Sequence, residues 1–238
     1  MRLRAEQGRF LVVAHRGVPT SAPENTLAAI EAAFALGVDV VEVDVSLLDG
    51  ELLLAHSPDV ASSESPSLED ALRFFSDRAA PETALQVDLK ARGVEARVVE
   101  ALERQGLLNR ALVSSVYLDV LLTVRRLAPS LATGLGYPHD RANLTERRLI
   151  APSVVRGGLA AMRLALPQRV VRMARAAQAD VMVLHHVVVG PGTIRRCRER
   201  GIAVYVWTVN DRAALERVLD LGVDAVITDD PRLVAGYR

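Results

Sequence analysis

Val40-Val41-Glu42-Val43-Asp44-Val45 is a strand by composition, and its alternation is what decides the fold. Extended backbone sends successive side chains to opposite faces, so Val41, Val43 and Val45 share one face while Glu42 and Asp44 share the other. The valines suit a layer of covering helices, and the two acids then face the axis of a barrel. The same device recurs in Gln86-Val87-Asp88-Leu89-Lys90, where Asp88 and Lys90 share a face opposite Val87 and Leu89.

Outward from these strands the chain repeats one unit. Short apolar runs at Leu11 to Ala14, Val40 to Val45, Ala84 to Leu89, Ala111 to Val116, Ala132 to Gly136, Asp180 to Leu184, Ile202 to Val206 and Asp224 to Ile227 read as strands. Helical spacing fills the gaps at Asn25 to Leu36, Glu95 to Gln105, Leu118 to Leu127, Thr193 to Arg200 and Asp211 to Leu221. Apolar strands alternating with helices about eight times predict a parallel sheet closed into a (β/α)8 TIM barrel, one domain over residues 1–238. An open doubly wound sheet is the runner-up, but no GxGxxG follows any strand. Ala61 to Ser67 and Gly134 to Asn143 read as loops, and Pro152 and Pro167 are expected to break Asn143 to Ala179 into two or three helical pieces with a solvated arginine face.

The 238 residues carry 29 Lys+Arg against 29 Asp+Glu, a formal net charge of +0, with 50% hydrophobic residues. Neutral balance removes the global electrostatic argument for a nucleic-acid or anionic-membrane binder, while leaving room for a local basic cleft. The single cysteine, Cys197, excludes an internal disulfide and cysteine-cluster metal sites. No run is long enough to span a membrane, so an unanchored, cytoplasmic protein is expected.

A barrel gathers its chemistry where its strands end. The first strand ends in His15-Arg16-Gly17. Two unpaired carboxylates at Glu42 and Asp44 would cost on the order of several kcal/mol, so they call for a divalent cation or, more plainly, an ion pair with Arg16 or another arginine. Asp88 completes a set of three hard oxygen ligands suited to Mg²⁺ or Ca²⁺. Lys90 is the only lysine beside 28 arginines, and it stands next to this set as a compact point charge. His56 ends the run Leu52 to Ala55 after the Asp49-Gly50 turn, which reads as the second strand returning to the same rim. Two histidines beside such a site supply an acid and a base near neutral pH.

In this order the motifs resemble the glycerophosphodiester phosphodiesterases. His15-Arg16-Gly17 with Pro23-Glu24-Asn25-Thr26 is similar to that family's opening, Glu42-Val43-Asp44 to its metal pair, and His56 to its second histidine. Val206-Trp207-Thr208-Val209-Asn210 and Gly222-Val223-Asp224 with Ile227-Thr228-Asp229 and Pro231 match its last two strands. The resemblance implies metal-dependent cleavage of a small-molecule phosphodiester, with His15 and His56 as the acid and base. It makes Glu42, Asp44 and Asp88 the ligands, with Arg16 and Lys90 on the phosphate. Trp207 would form an aromatic wall at the rim, Glu24 and Asn25 would cap the first helix or support the site, and His185 is the one of the His185-His186 pair expected to touch substrate.

Two departures bear on substrate. The family usually places glutamate where this chain has Asp88, and Asp-Leu-Lys is similar to the sphingomyelinase D and lysophospholipase D enzymes. Only 31 positions separate His56 from Asp88, so a cap over the alcohol pocket is expected to be largely missing. Lysophospholipid cleavage, through a cyclic phosphate, is the alternative activity. A silent phosphodiester-binding barrel is the alternative of another class.

Overall fold

A computed structural model describes residues 1–6, 8–62, 64–138 and 152–237. Nine strands are present: β1 (Leu11–Ala14), β2 (Val40–Leu48), β3 (Glu51–Leu54), β4 (Ala84–Leu89), β5 (Ala111–Ser115), β6 (Ala132–Tyr137), β7 (Val181–His185), β8 (Ala203–Trp207) and β9 (Ala225–Thr228). Eight of them run parallel in the order β1-β9-β8-β7-β6-β5-β4-β2, and the β1 to β2 pairing closes the barrel. The expected (β/α)8 barrel is what forms. β3 is the exception, an antiparallel return of β2 with Val45 opposite Leu54, and it brings His56 back beside Asp44 as the Asp49-Gly50 turn predicts.

The jacket consists of α1 (Leu27–Ala35), α2 (Leu68–Arg78), α3 (Glu95–Arg104), α4 (Leu118–Leu127), α5 (Pro152–Ala176), α6 (Pro191–Arg198) and α7 (Arg212–Leu221). In the eighth helical place the described chain has a 3-10 turn, Pro231–Val234. Helix starts follow local chemistry: Thr26, Ser67 and Asp211 each accept a backbone N–H from the first turn of α1, α2 and α7. The alternation in β2 divides two cores. Val41, Val43 and Val45 join the strand-to-helix layer, while Leu11, Val13, Val40, Ala84, Leu112, Val181, Val183, Ala203, Tyr205, Ala225 and Ile227 pack within the barrel, against Met1, Leu3 and Ala5. Along the first two strands, successive inward positions therefore change from apolar to polar. β1 reads Leu11, Val13, His15, and β2 reads Val40, Glu42, Asp44.

An aspartate one position ahead of a strand repeats three times as a tie at the strand starts. Asp39 accepts from Val12 N (2.7 Å), Asp180 from Thr133 N (2.9 Å) and Asp224 from Val204 N (2.8 Å). Each bond satisfies a backbone donor of the neighbouring strand and sets the stagger a tilted barrel needs.

Two expectations are corrected. Gly134 to Tyr137 is not loop but the body of β6. A Cβ at Gly134 would sit 3.1 Å from Val183 and 3.4 Å from Ser114, so glycine there marks close packing inside the barrel, not a turn. Pro167 does not break the chain, because α5 continues through it from Pro152 to Ala176. Leu166, Val170 and Ala174 are buried at helical spacing on either side of that proline, and this packing holds the helix together. Helix α2, which Ser67 caps, is not among the expected helices. Residues 139–151, which include His139 and the start of the expected helical pieces, lie outside the described residues.

Candidate active site

The site begins with backbone strain. Arg16 and Asn25 both take positive φ (53° and 58°), a region that a side chain such as arginine seldom adopts. Polar contacts hold the Arg16 turn: Arg16 N donates to Glu42 Oε2 (2.8 Å) and Gly17 N to the Glu42 carbonyl (3.1 Å). Gly17 is required here, because a Cβ would fall 2.5 Å from the backbone of Ala29 in α1. Asn25 is fixed by a reciprocal pair, accepting from Asp44 N (3.0 Å) and donating from Nδ2 to Asp44 Oδ2 (3.2 Å). Its position is therefore that of a support for Asp44 and not of a helix cap, which is Thr26.

Asp44 is the hub. It is 1% exposed, and around it stand Arg16 Nε at 2.8 Å, His56 Nδ1 at 3.2 Å and Lys90 Nζ at 2.8 Å. Burial alone would raise its pKa, but Lys90, the His56 hydrogen bond and Arg16 together hold it well below the usual carboxylate range. Lys90 also pairs with Asp88, whose other oxygen accepts from Ser114 Oγ (2.6 Å). Burial opposes the Lys90 charge, yet Asp88, Asp44 and Glu42 outweigh it and raise its pKa. Arg16 spans the rim, with Nη1 on both Glu24 oxygens (2.9 Å each) and Nη2 donating to His56 Nδ1 (2.8 Å).

Glu42 stands apart. Burial, with Asp44 and Asp88 close by, raises its pKa well above the ordinary value despite Lys90 and the Arg16 backbone donor. One oxygen from each of Glu42, Asp44 and Asp88 lies within 4.8 Å of the others. Ligand distances of about 2.3–2.6 Å put oxygens sharing one ion within roughly 5 Å of each other. Asp44 Oδ1 is buried beside the Lys90 ammonium at 2.8 Å. Three hard oxygen donors, one of them an acid with a raised pKa, fit a divalent cation better than a closed set of ion pairs.

The expected histidines are here as well. His15 Nδ1 lies 2.6 Å from Asp229 Oδ1. Asn210 holds that carboxylate, with Nδ2 donating to Asp229 Oδ2 (2.5 Å) and Oδ1 accepting from Asp229 N (3.0 Å). From sequence alone, Asp229 and Asn210 have no role in the site beyond motif membership. The signal was present in Thr228-Asp229 as the position after a strand end next to β1.

Trp207 is at the rim of β8, with Nε1 donating to Val183 O (3.2 Å) and its ring edge-on to His185 at 5.1 Å. Strict alternation separates His185 from His186, yet their rings lie 4.7 Å apart, because β7 ends at His185 and a 3-10 turn begins at His186. Burial, then His186 and Arg217, push the His185 pKa down to about 4.

A closed parallel barrel with a cluster of three acids, two histidines and two paired cations at its strand ends has the equipment of a phosphodiester hydrolase. The glycerophosphoryl diester phosphodiesterase family model matches residues 15–65 and 66–233. The chain belongs to that family, and as a member it is classed with the phosphoric diester hydrolases. It is 25% identical over 260 residues to a glycerophosphodiester phosphodiesterase of Caldanaerobacter subterraneus subsp. tengcongensis, covering 94% of this chain and 95% of that protein. A putative glycerophosphoryl diester phosphodiesterase from Silicibacter pomeroyi superposes with a TM-score of 0.79 at 20% identity, covering 99% and 95% of the two chains. An Oleispira antarctica phosphodiesterase solved with the product sn-glycerol-3-phosphate superposes with a TM-score of 0.70 at 22% identity, covering 95% and 96%.

Proposed function

We propose that this protein hydrolyses glycerophosphodiesters to sn-glycerol 3-phosphate and an alcohol, with Glu42, Asp44 and Asp88 holding Ca²⁺ or Mg²⁺. The observation that carries the reading is the group of three carboxylates within 4.8 Å on a rim that also bears His15 and His56. Charge balance supports it: among the described residues Glu24, Glu42, Asp44 and Asp88 pair with Arg16 and Lys90 as fixed cations, and a phosphodiester adds another negative charge. A bound divalent cation supplies the missing positive charge and polarises a phosphoryl oxygen.

The chain's own residues do the rest. Asp229 accepts the Nδ1 proton of His15, which leaves Nε2 of that ring as a base. Nδ1 of His56 is engaged by Arg16 Nη2 (2.8 Å) and Asp44 Oδ2 (3.2 Å), which turns Nε2 of that ring to the substrate as the acid. His15 then takes the proton of the attacking water as the new P–O bond forms, and His56 protonates the departing alkoxide as the old one breaks. Arg16 and Lys90 neutralise phosphoryl oxygens as charge develops. Trp207 and His185 wall the alcohol. The buried, unpaired Cys197 suits a reducing compartment such as the cytoplasm.

The test is turnover of a glycerophosphodiester by His15→Ala and by His56→Ala. Loss in both supports the assignment, and retained activity in either contradicts it. Lysophospholipid cleavage is the second reading, favoured by the short passage from β3 to β4, which carries only the 3-10 turn Pro58–Val60 and α2. There the substrate's free hydroxyl attacks phosphorus in place of water, the P–O bond to the headgroup breaks, the headgroup alcohol departs and a cyclic phosphate is the product. Phosphorus NMR of the lysophospholipid products detects it, and the absence of both cleavage and cyclic product removes it.

A further inference from the structure

Two in-register rows cross β2, β4 and β5 beneath the site. The upper row runs Asp44, Asp88, Ser114 and the lower one Glu42, Gln86, Leu112. Ser114 and Gln86 are polar side chains at 0% and 2% exposure, and the hydrolytic reading gives neither of them a task. Ser114 Oγ donates to Asp88 Oδ1 (2.6 Å), and Gln86 Nε2 donates to Ser114 Oγ (3.0 Å). The direction of this chain is forced. An ionised carboxylate has no proton to give, so the single hydroxyl proton of Ser114 goes to Asp88, and the hydroxyl oxygen then takes a donor, which sets the Gln86 amide with Nε2 toward it. The far end of the amide, Oε1, is buried without a hydrogen-bond partner among the described residues. Burying an amide for one hydrogen bond is costly where an apolar residue would pack, and what that bond does to Ser114 accounts for the glutamine. Ser114 itself is buried with its proton committed, so it is not placed to attack substrate.

We propose that Ser114 and, through it, Gln86 are positioning residues for the cation: they set the rotation of the Asp88 carboxylate about its Cβ–Cγ bond to the one in which it ligates. Each Asp88 oxygen has one protein partner, Lys90 on Oδ2 and Ser114 on Oδ1. Lys90 stands on a flexible stem and also serves Asp44, so the short charge-assisted bond from a strand serine is the contact that fixes the carboxylate plane. Each oxygen keeps lone-pair capacity for a cation beyond that one partner. Hydrogen-bond partners of this kind orient a ligand and raise its affinity for the metal. The proposal rests on the reading of Glu42, Asp44 and Asp88 as cation ligands. The next serine gives the contrast. Ser115 points to the other face of β5, where its Oγ donates to the Leu89 carbonyl (2.8 Å) and accepts from Tyr117 N (3.2 Å), both backbone groups.

The experiment is calorimetric titration of the full chain with Ca²⁺ and with Mg²⁺, and turnover of glycerophosphocholine followed against cation concentration. Ser114→Ala is expected to weaken cation binding by about 10-fold to 100-fold and to regain most of kcat once the cation saturates. Ser114→Thr keeps the hydroxyl and is expected to bind as wild type does. Gln86→Leu is expected to weaken binding by less, and Ser114→Ala/Gln86→Leu to bind no more weakly than Ser114→Ala, since Gln86 acts through Ser114. Ser115→Ala is expected to lower Tm with cation affinity unchanged. Equal losses in Ser114→Thr and Ser114→Ala overturn the proposal, as do additive losses in the double variant. Wild-type affinity in Gln86→Leu, where the serine is left in place, overturns the assignment of Gln86. Wild type that binds neither cation overturns the cation reading and this proposal together, whereas binding that is equally tight in wild type and Ser114→Ala overturns this proposal alone.

Discussion

His15 Nδ1 lies 2.6 Å from Asp229 Oδ1, a contact that crosses the seam where the first strand of the barrel meets the last. Ala14 pairs with Thr228 in register, so the next residue on each strand arrives at the rim side by side. His15 holds Asp229 below its usual pKa against the effect of burial, and the pair fixes both the ring orientation and its tautomer. Asp229→Asn is expected to lower kcat by about 100-fold to 10,000-fold with little change in KM, because Asn210 Nδ2 claims the amide oxygen and the amide NH2 then faces His15 Nδ1 and favours the wrong tautomer. Steady-state kinetics across pH check it. A variant that loses activity only through misfolding would not alter the basic limb of the pH profile selectively.

Glu42 makes stability depend on pH in the cation-free protein. Its folded pKa is raised, by burial first and then by Asp44 and Asp88. A raised carboxyl contributes stability that is fully present below its unfolded pKa and is lost as pH rises toward the folded value, at roughly 1.4 kcal/mol for each pH unit crossed between the two. Chelated wild type is therefore expected to lose Tm between pH 5 and 8, and Glu42→Gln to remove that slope. Restoring Ca²⁺ or Mg²⁺ is expected to stabilise wild type and not the variant. Thermal melts at the two pH values measure this.

Lys90 fits as a point charge between Asp44 and Asp88. A guanidinium is planar and broader, so Lys90→Arg keeps the charge but displaces the two carboxylates. Activity is expected to fall by about 100-fold or more while the fold persists. Turnover paired with circular dichroism separates the two.

His185, with its pKa pushed down to about 4 by burial, His186 and Arg217, is neutral across the working range. A histidine with a lowered folded pKa contributes stability above its unfolded value near 6.5, and that contribution is lost as pH falls toward 4. His185→Gln is expected to flatten this acid limb, read by Tm at pH 4.5 and 7. Its kinetic effect is expected in KM across alcohol groups, with kcat largely kept.

Period-two alternation made much of this legible before any coordinates. It put Glu42, Asp44, Asp88 and Lys90 on inward faces, because a strand allows side chains only two directions. It failed where the strand stops. His185 and His186 meet because β7 ends between them, which no alternation rule foresees. Asp229 was missed for another reason: its partner is 214 positions away, and only barrel closure with a known register brings the two together. Pro167 misled because local helix chemistry says break, while burial of Leu166, Val170 and Ala174 across it says continue.

The most direct test of the central claim is release of glycerol 3-phosphate from a panel of glycerophosphodiesters by cation-stripped protein, before and after Ca²⁺ or Mg²⁺ is restored, with Asp88→Glu alongside. The account predicts no release when stripped and turnover on restoration. Full activity in the stripped protein, or silence of both wild type and Asp88→Glu with either cation, would contradict it.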